Sequence, residues 1–118
     1  MSRSPWTILP LLPERMHLVD FGKEVLLGIT ALKAVGHPPG HMSLEIASGK
    51  ERLLHMVDAV THHILHFRHI DWFGPVDNWL AHTIPTRRHL LNRAADEHLL
   101  VLAYHFEFLG LIVATESG

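Results

Sequence analysis

The chain of 118 residues contains no cysteine. Disulfides, thiolate metal sites and a cysteine nucleophile are therefore excluded together. Positive charge is also sparse: 10 Lys and Arg stand against 12 Asp and Glu, for a net charge of −2 with neutral histidines. The basic residues are scattered rather than gathered into a patch, so no nucleic-acid partner is expected. No apolar run is long enough to span a bilayer. The opening "MSRSPWTILPLLPER" is interrupted by Pro5, Pro10 and Pro13, and its apolar stretch is too short for a signal peptide. No membrane partner and a cytoplasmic setting are the corresponding expectations. Histidine, by contrast, is abundant at 12 residues. Imidazoles titrate near pH 6.5, so the net charge climbs steeply just below neutrality.

Apolar residues make up 47% of the chain and charged residues 19%, a composition suited to one globular domain. Residues 1–15 read as an extended, proline-punctuated arm, and 16–118 as a single domain. Met16–Asp20 alternates weakly and suggests a short strand. Glu24–Val35 reads as one or two strands with a kink at Gly28. His41–Ala47 alternates cleanly, with Met42, Leu44 and Ile46 on one face. "SGKE" marks a turn, and Arg52–Val60 completes a hairpin. Alternation then stops, and "THHILHFRHIDWFGPVDNW" reads as an irregular excursion or a short helix. Pro85–His98 is the strongest helical pattern, with Thr86 placed to cap it. Leu90, Leu91, Ala94 and Ala95 form its apolar face, opposite Arg87, Arg88, Arg93 and Asp96. Leu99–Phe108 reads as a buried final strand. The expected class is α+β, a short antiparallel or mixed sheet with one main helix.

The stretch "VGHPPGHMS" (Val35–Ser43) sets His37 and His41 four residues apart, but Pro38 and Pro39 exclude a regular helix between them. Chemistry is expected where polar residues stand at strand ends. His41 opens one strand, Asp58 lies near the end of its partner, and His105 closes the last. Two imidazoles and a carboxylate suit zinc or a similar divalent ion with a position left open for water. His37 reads as a residue that supports the turn. His62, His66 and His69 would share one face of a helix and read as a solvated polar face. Phe67, Trp72, Phe73 and Trp79 are expected to pack the excursion onto the sheet. Arg87 and Arg88 read as solvated charges whose sign is unfavourable at a helix start, a hint of an acidic partner.

The order of these segments resembles the C-terminal half of metallo-β-lactamase-fold hydrolases, over about 100 residues in which the turn, "VD", "DW" and "HFEFLG" recur in sequence. In that family the turn usually reads Gly-His-Thr-Pro-Gly-His. The resemblance implies that His41 is a ligand of the first metal, that Asp58 bridges two metals, and that His105 serves the second. Three departures accompany it. No His-x-His-x-Asp-His cluster is present, Val57 replaces the usual Gly before the bridging Asp, and Glu107 and Leu109 replace two prolines. The implied protein is a zinc or other divalent-metal hydrolase-like half of an αββα sandwich, its metal site incomplete at His41, Asp58 and His105 and its catalytic residues unassigned. A small-molecule substrate goes with that reading. The alternative is a non-catalytic, truncated relative acting as an oligomeric structural or binding module. Either way one sheet face lacks its covering layer, and a homodimer would cover it.

Overall fold

The computed structural model of the chain describes residues 9–75, 77, 79–107 and 110–113. Its six strands are β1 (Glu24–Leu26), β2 (Ile29–Lys33), β3 (Met42–Ser48), β4 (Glu51–Val57), β5 (Leu100–Ala103) and β6 (Leu111–Val113). They form one sheet in sequential order. Neighbours pair antiparallel except β4 and β5, which are parallel. A parallel pair needs a long crossover, and the segment between β4 and β5 supplies it with α1 (Leu65–Arg68) and α2 (Leu80–Asp96). The expected α+β class and mixed sheet with one main helix are what the chain forms. Among the described residues no helix is long and apolar enough to cross a membrane.

Strand alternation separates the two sheet faces, and α2 covers only one. Leu54 pairs laterally with Val101, and Val101 with Ile112. Leu54, Met56 and Val101 are completely buried in a cluster with Leu90, Leu91 and Ala94 of the helix. The opposite face carries two rows, Ala31-Leu44-His55-Leu102-Leu111 and Ile29-Ile46-Leu53-Leu100-Val113. Its large aliphatic side chains are only partly buried, and at its margins Leu26 is 66% and Val113 58% exposed.

Several local expectations require correction. Residues 9–15 hold two 3-10 turns, Leu9–Leu11 and Pro13–Arg15, instead of an extended arm, and Met16–Asp20 forms no strand. Residues 1–8 and Leu109 lie outside the described residues. The main helix begins at Leu80, five residues before the expected start, so Pro85 sits inside it. Proline there lacks the N–H that would bond to Ala81, a local cost borne by the packing of the rest of the helix. Thr86 therefore caps nothing; its hydroxyl donates to the Val35 carbonyl at 2.8 Å. Among the described residues of the expected final strand only β5 is strand, a turn follows it, and β6 beyond that run was not anticipated. The excursion aromatics do not all pack inward: Phe67 lies against the core, whereas Trp72, Phe73 and Trp79 are exposed.

Candidate metal centre

The histidine turn is seated on α2 by contacts that only glycine permits. Gly36 has φ +138°, and a Cβ there would stand 2.5 Å from the Thr83 backbone nitrogen. The Gly36 carbonyl accepts from Trp79 N–H at 3.0 Å, and its N–H donates to Pro38 at 3.0 Å. This fixes the turn at the sheet end where β3 begins and β4 and β5 finish. Asp58 follows β4 immediately, and His105 lies in the exposed turn after β5 rather than at a strand end.

Sequence-distant groups meet at Asp58. His105 Nε2 stands 3.0 Å from Asp58 Oδ1, and His37 Nε2 stands 3.8 Å from Asp58 Oδ2. The Asp58 backbone N–H donates to His41 Nε2 at 3.3 Å. His41 Nδ1 lies 3.0 Å from the Ala34 carbonyl, an acceptor that requires the proton on Nδ1 and leaves the lone pair on Nε2. Burial pushes the His41 imidazole below its ordinary range, with the neighbouring His37 acting in the same direction against the opposing Ala34 bond. A neutral imidazole with a fixed Nε2 lone pair is the form that binds a metal ion.

The carboxylate supplies the test of whether a cation fits. Asp58 Oδ1 is buried and has no hydrogen-bond partner, because His105 approaches it without hydrogen-bond alignment. An unpartnered buried carboxylate oxygen is costly and is stabilised by a cation. Two imidazoles and a carboxylate are donors of the type zinc takes, so their chemistry, but not their placement, suits a divalent ion. They are not gathered into a finished cage. Among the described residues no group of three or more His, Cys, Asp or Glu side chains is arranged to hold an ion. Enclosing one would require Asp58 N–H to release His41 Nε2 and the exposed His105 ring to turn inward.

Two participants were invisible in the sequence. Asp77 accepts from His37 Nδ1 at 3.3 Å and from the Gly74 N–H at 3.0 Å, and its side chain is only 3% exposed. Arg87, expected to be a solvated charge, is fully buried. Its guanidinium donates to the carbonyls of Ala59, Ile70 and Trp72 at 2.8, 2.9 and 2.5 Å, and Nη2 lies 3.6 Å from Asp77. It thereby ties the loop after Asp58 to the helix. Arg88 is exposed and pairs with Asp71. The expected face of His62, His66 and His69 does not form, since α1 spans four residues. His66 is buried and accepts from Thr61 N–H at 3.1 Å, while His62 accepts from Ile64 and Leu65. A groove of about 400 Å³ between β2 and α2, lined by residues including Lys33, His82 and His89, contains none of the residues around Asp58.

A mixed sheet backed by one long helix, with a Gly-His-Pro-Pro-Gly-His turn beside a strand-end aspartate, is half of a metallo-β-lactamase fold. In fold the chain is similar to hydrolases of that superfamily. AidC, a dizinc quorum-quenching lactonase solved with its product, matches with a TM-score of 0.81 and 27% identity over 89% of this chain and 36% of its own. AbOPH, a hydrolase of the beta-lactamase superfamily, matches with a TM-score of 0.77 and 22% identity, over 88% of this chain and 36% of its own. A probable metal-dependent hydrolase from Staphylococcus aureus gives 0.76 and 19%, over 87% and 36%. The chain thus spans little more than a third of these structures. No family profile and no curated protein matches the sequence.

Proposed function

We propose that the chain supplies the C-terminal half of a metal-dependent hydrolase centre, with His41, Asp58 and His105 as donors to zinc or another divalent ion. The convergence of imidazoles on Asp58, whose Oδ1 is buried and unpartnered, carries this reading. A bound ion would supply Lewis acidity and a water acidic enough to act as nucleophile near neutral pH. The chain's own groups have separate roles. Ala34 holds the His41 proton on Nδ1, Asp58 contributes negative charge, and His105 is reached from solvent. Lactones are the substrate class to test first, because AidC is a lactonase and another similar structure is an N-acyl homoserine lactone hydrolase.

The test is ring opening of N-hexanoyl homoserine lactone by the zinc-supplemented chain, followed with a pH indicator. Ring opening is expected, with a loss of at least about a hundredfold in Asp58→Asn, the scale on which removal of electrostatic stabilisation acts. Absence of both zinc uptake and ring opening in the wild type would overturn the reading.

The uncovered aliphatic face favours a second reading, an oligomeric binding module in which a second copy covers the rows through Leu53 and Leu100. This reading expects a zinc-independent dimer in sedimentation that Asp58→Asn leaves intact. A monomer at all concentrations would remove it.

A further inference from the structure

The groove between β2 and α2 stands apart from Asp58 and has a lining of its own character. Its volume of about 400 Å³ falls at the small end of the range for small-molecule sites. Leu32 and Val35 supply an apolar wall on the sheet side, and Pro85 faces them from the helix. The polar members are Lys33, His82, His89 and Arg93, and none of the described lining residues is acidic. Two carboxylates belong to the surroundings, Glu45 and Glu97, and both are already held by Arg52 and Arg93. Arg93 spends Nε and Nη2 on those bonds, and Nη1 on neither. Lys33 is exposed, and no ion pair among the described residues includes it.

We propose that this groove binds a short-chain aliphatic carboxylate, its chain against Leu32, Val35 and Pro85 and its head group taken by the Lys33 ammonium and the Nη1 N–H groups of Arg93. Charge complementarity selects the sign. An ammonium ligand would meet two cations and no lining carboxylate, whereas a carboxylate meets donors. Glu45 and Glu97 neutralise the two arginines, so Lys33 supplies the net charge and Arg93 supplies directed N–H donors. The imidazoles of His82 and His89 each offer one further ring N–H when neutral. His82 is held in place by Trp79, whose ring centroid lies 3.6 Å away. An exposed charge pair alone binds weakly, and burial of the aliphatic chain supplies the remaining affinity. The site needs no metal, since none of the residues around Asp58 lines it.

The test is titration of the full chain, with no added metal, by octanoate, octan-1-ol, octylammonium and acetate, followed through labelled leucine and valine methyl resonances. Octanoate is expected to saturate and to shift the methyls of Leu32 and Val35. Octan-1-ol and octylammonium are expected to bind at least about fivefold more weakly, the scale of one exposed ion pair. Acetate, which lacks the chain, is expected to give no saturable shift. In Lys33→Glu the preference should reverse, with octylammonium binding more tightly than octanoate. The wild-type comparison needs no variant, so the result survives if the substituted chain fails to fold. Equal affinity for octanoate and octan-1-ol would overturn the proposal, as would the absence of saturable octanoate binding. Shifts confined to Leu53 and Leu100 on the uncovered sheet face would overturn it too, and so would unchanged octanoate affinity in Lys33→Glu.

Discussion

Replacing Arg87 by methionine removes a charge that the fold has enclosed completely. Methionine approximates the aliphatic stem, so the perturbation falls chiefly on the guanidinium. Three carbonyls, of Ala59, Ile70 and Trp72, would lose a donor, and Asp77 would lose its cationic neighbour. A hydrogen bond from a charged donor contributes about 1.5–3 kcal/mol, and removing one partner of a buried ion pair costs about 3–5 kcal/mol. These figures overlap because one group makes all the contacts, and water can reach some of the freed carbonyls. The expected loss is about 4 kcal/mol, a fall of roughly a thousandfold in the folded-to-unfolded ratio and a large part of a small domain's 5–15 kcal/mol. Urea denaturation followed by circular dichroism reads it directly. Adding Asp77→Asn to Arg87→Met should recover about 1–2 kcal/mol, because the second change removes the stranded carboxylate. A midpoint for Arg87→Met within about 1 kcal/mol of wild type would refute the assignment of Arg87 as the clamp on the Asp58 loop.

Val57 has φ +53°, so a β-branched residue stands in the left-handed region. Val57→Gly should raise stability by about 1 kcal/mol, and a lower denaturation midpoint would contradict the strain argument. Gly36→Ala should destabilise by more than about 3 kcal/mol, because its Cβ would meet the Thr83 backbone at 2.5 Å; thermal melting checks this, and a wild-type melt would refute it. Burial, with Arg87 adding to it, lowers the His66 pKa to about 4. The unfolded chain therefore binds the proton first, and this contribution to stability is lost as pH falls from about 6.5 toward 4, by about 2 kcal/mol at pH 5. Urea midpoints should flatten across that range in His66→Gln relative to wild type, and equal slopes would refute the assignment.

The central hairpin was legible because β3 and β4 alternate cleanly and a glycine turn joins them; His41, Asp58 and His105 were singled out from expected strand ends and family resemblance, and His105 lies in the turn after β5 instead. What remained hidden depends on long-range partners. Arg87 looked solvated because no local pattern reveals three carbonyls waiting to bond it. Asp77 looked like one more loop carboxylate until folding brought it to His37, forty residues earlier. Proline at 85 suggested a helix start, yet packing of Thr83 against Gly36 and of Leu90, Leu91 and Ala94 against the sheet holds a longer helix around it. The strand strain at Val57 was half legible, since glycine is usual there and valine is not.

Zinc-edge anomalous scattering from crystals of the full chain grown with zinc tests the central claim most directly. The account expects one strong peak about 2 Å from His41 Nε2 and from an Asp58 carboxylate oxygen. A zinc-loaded crystal with no peak at Asp58, or with its peaks among His62, His63 and His69 instead, would contradict it.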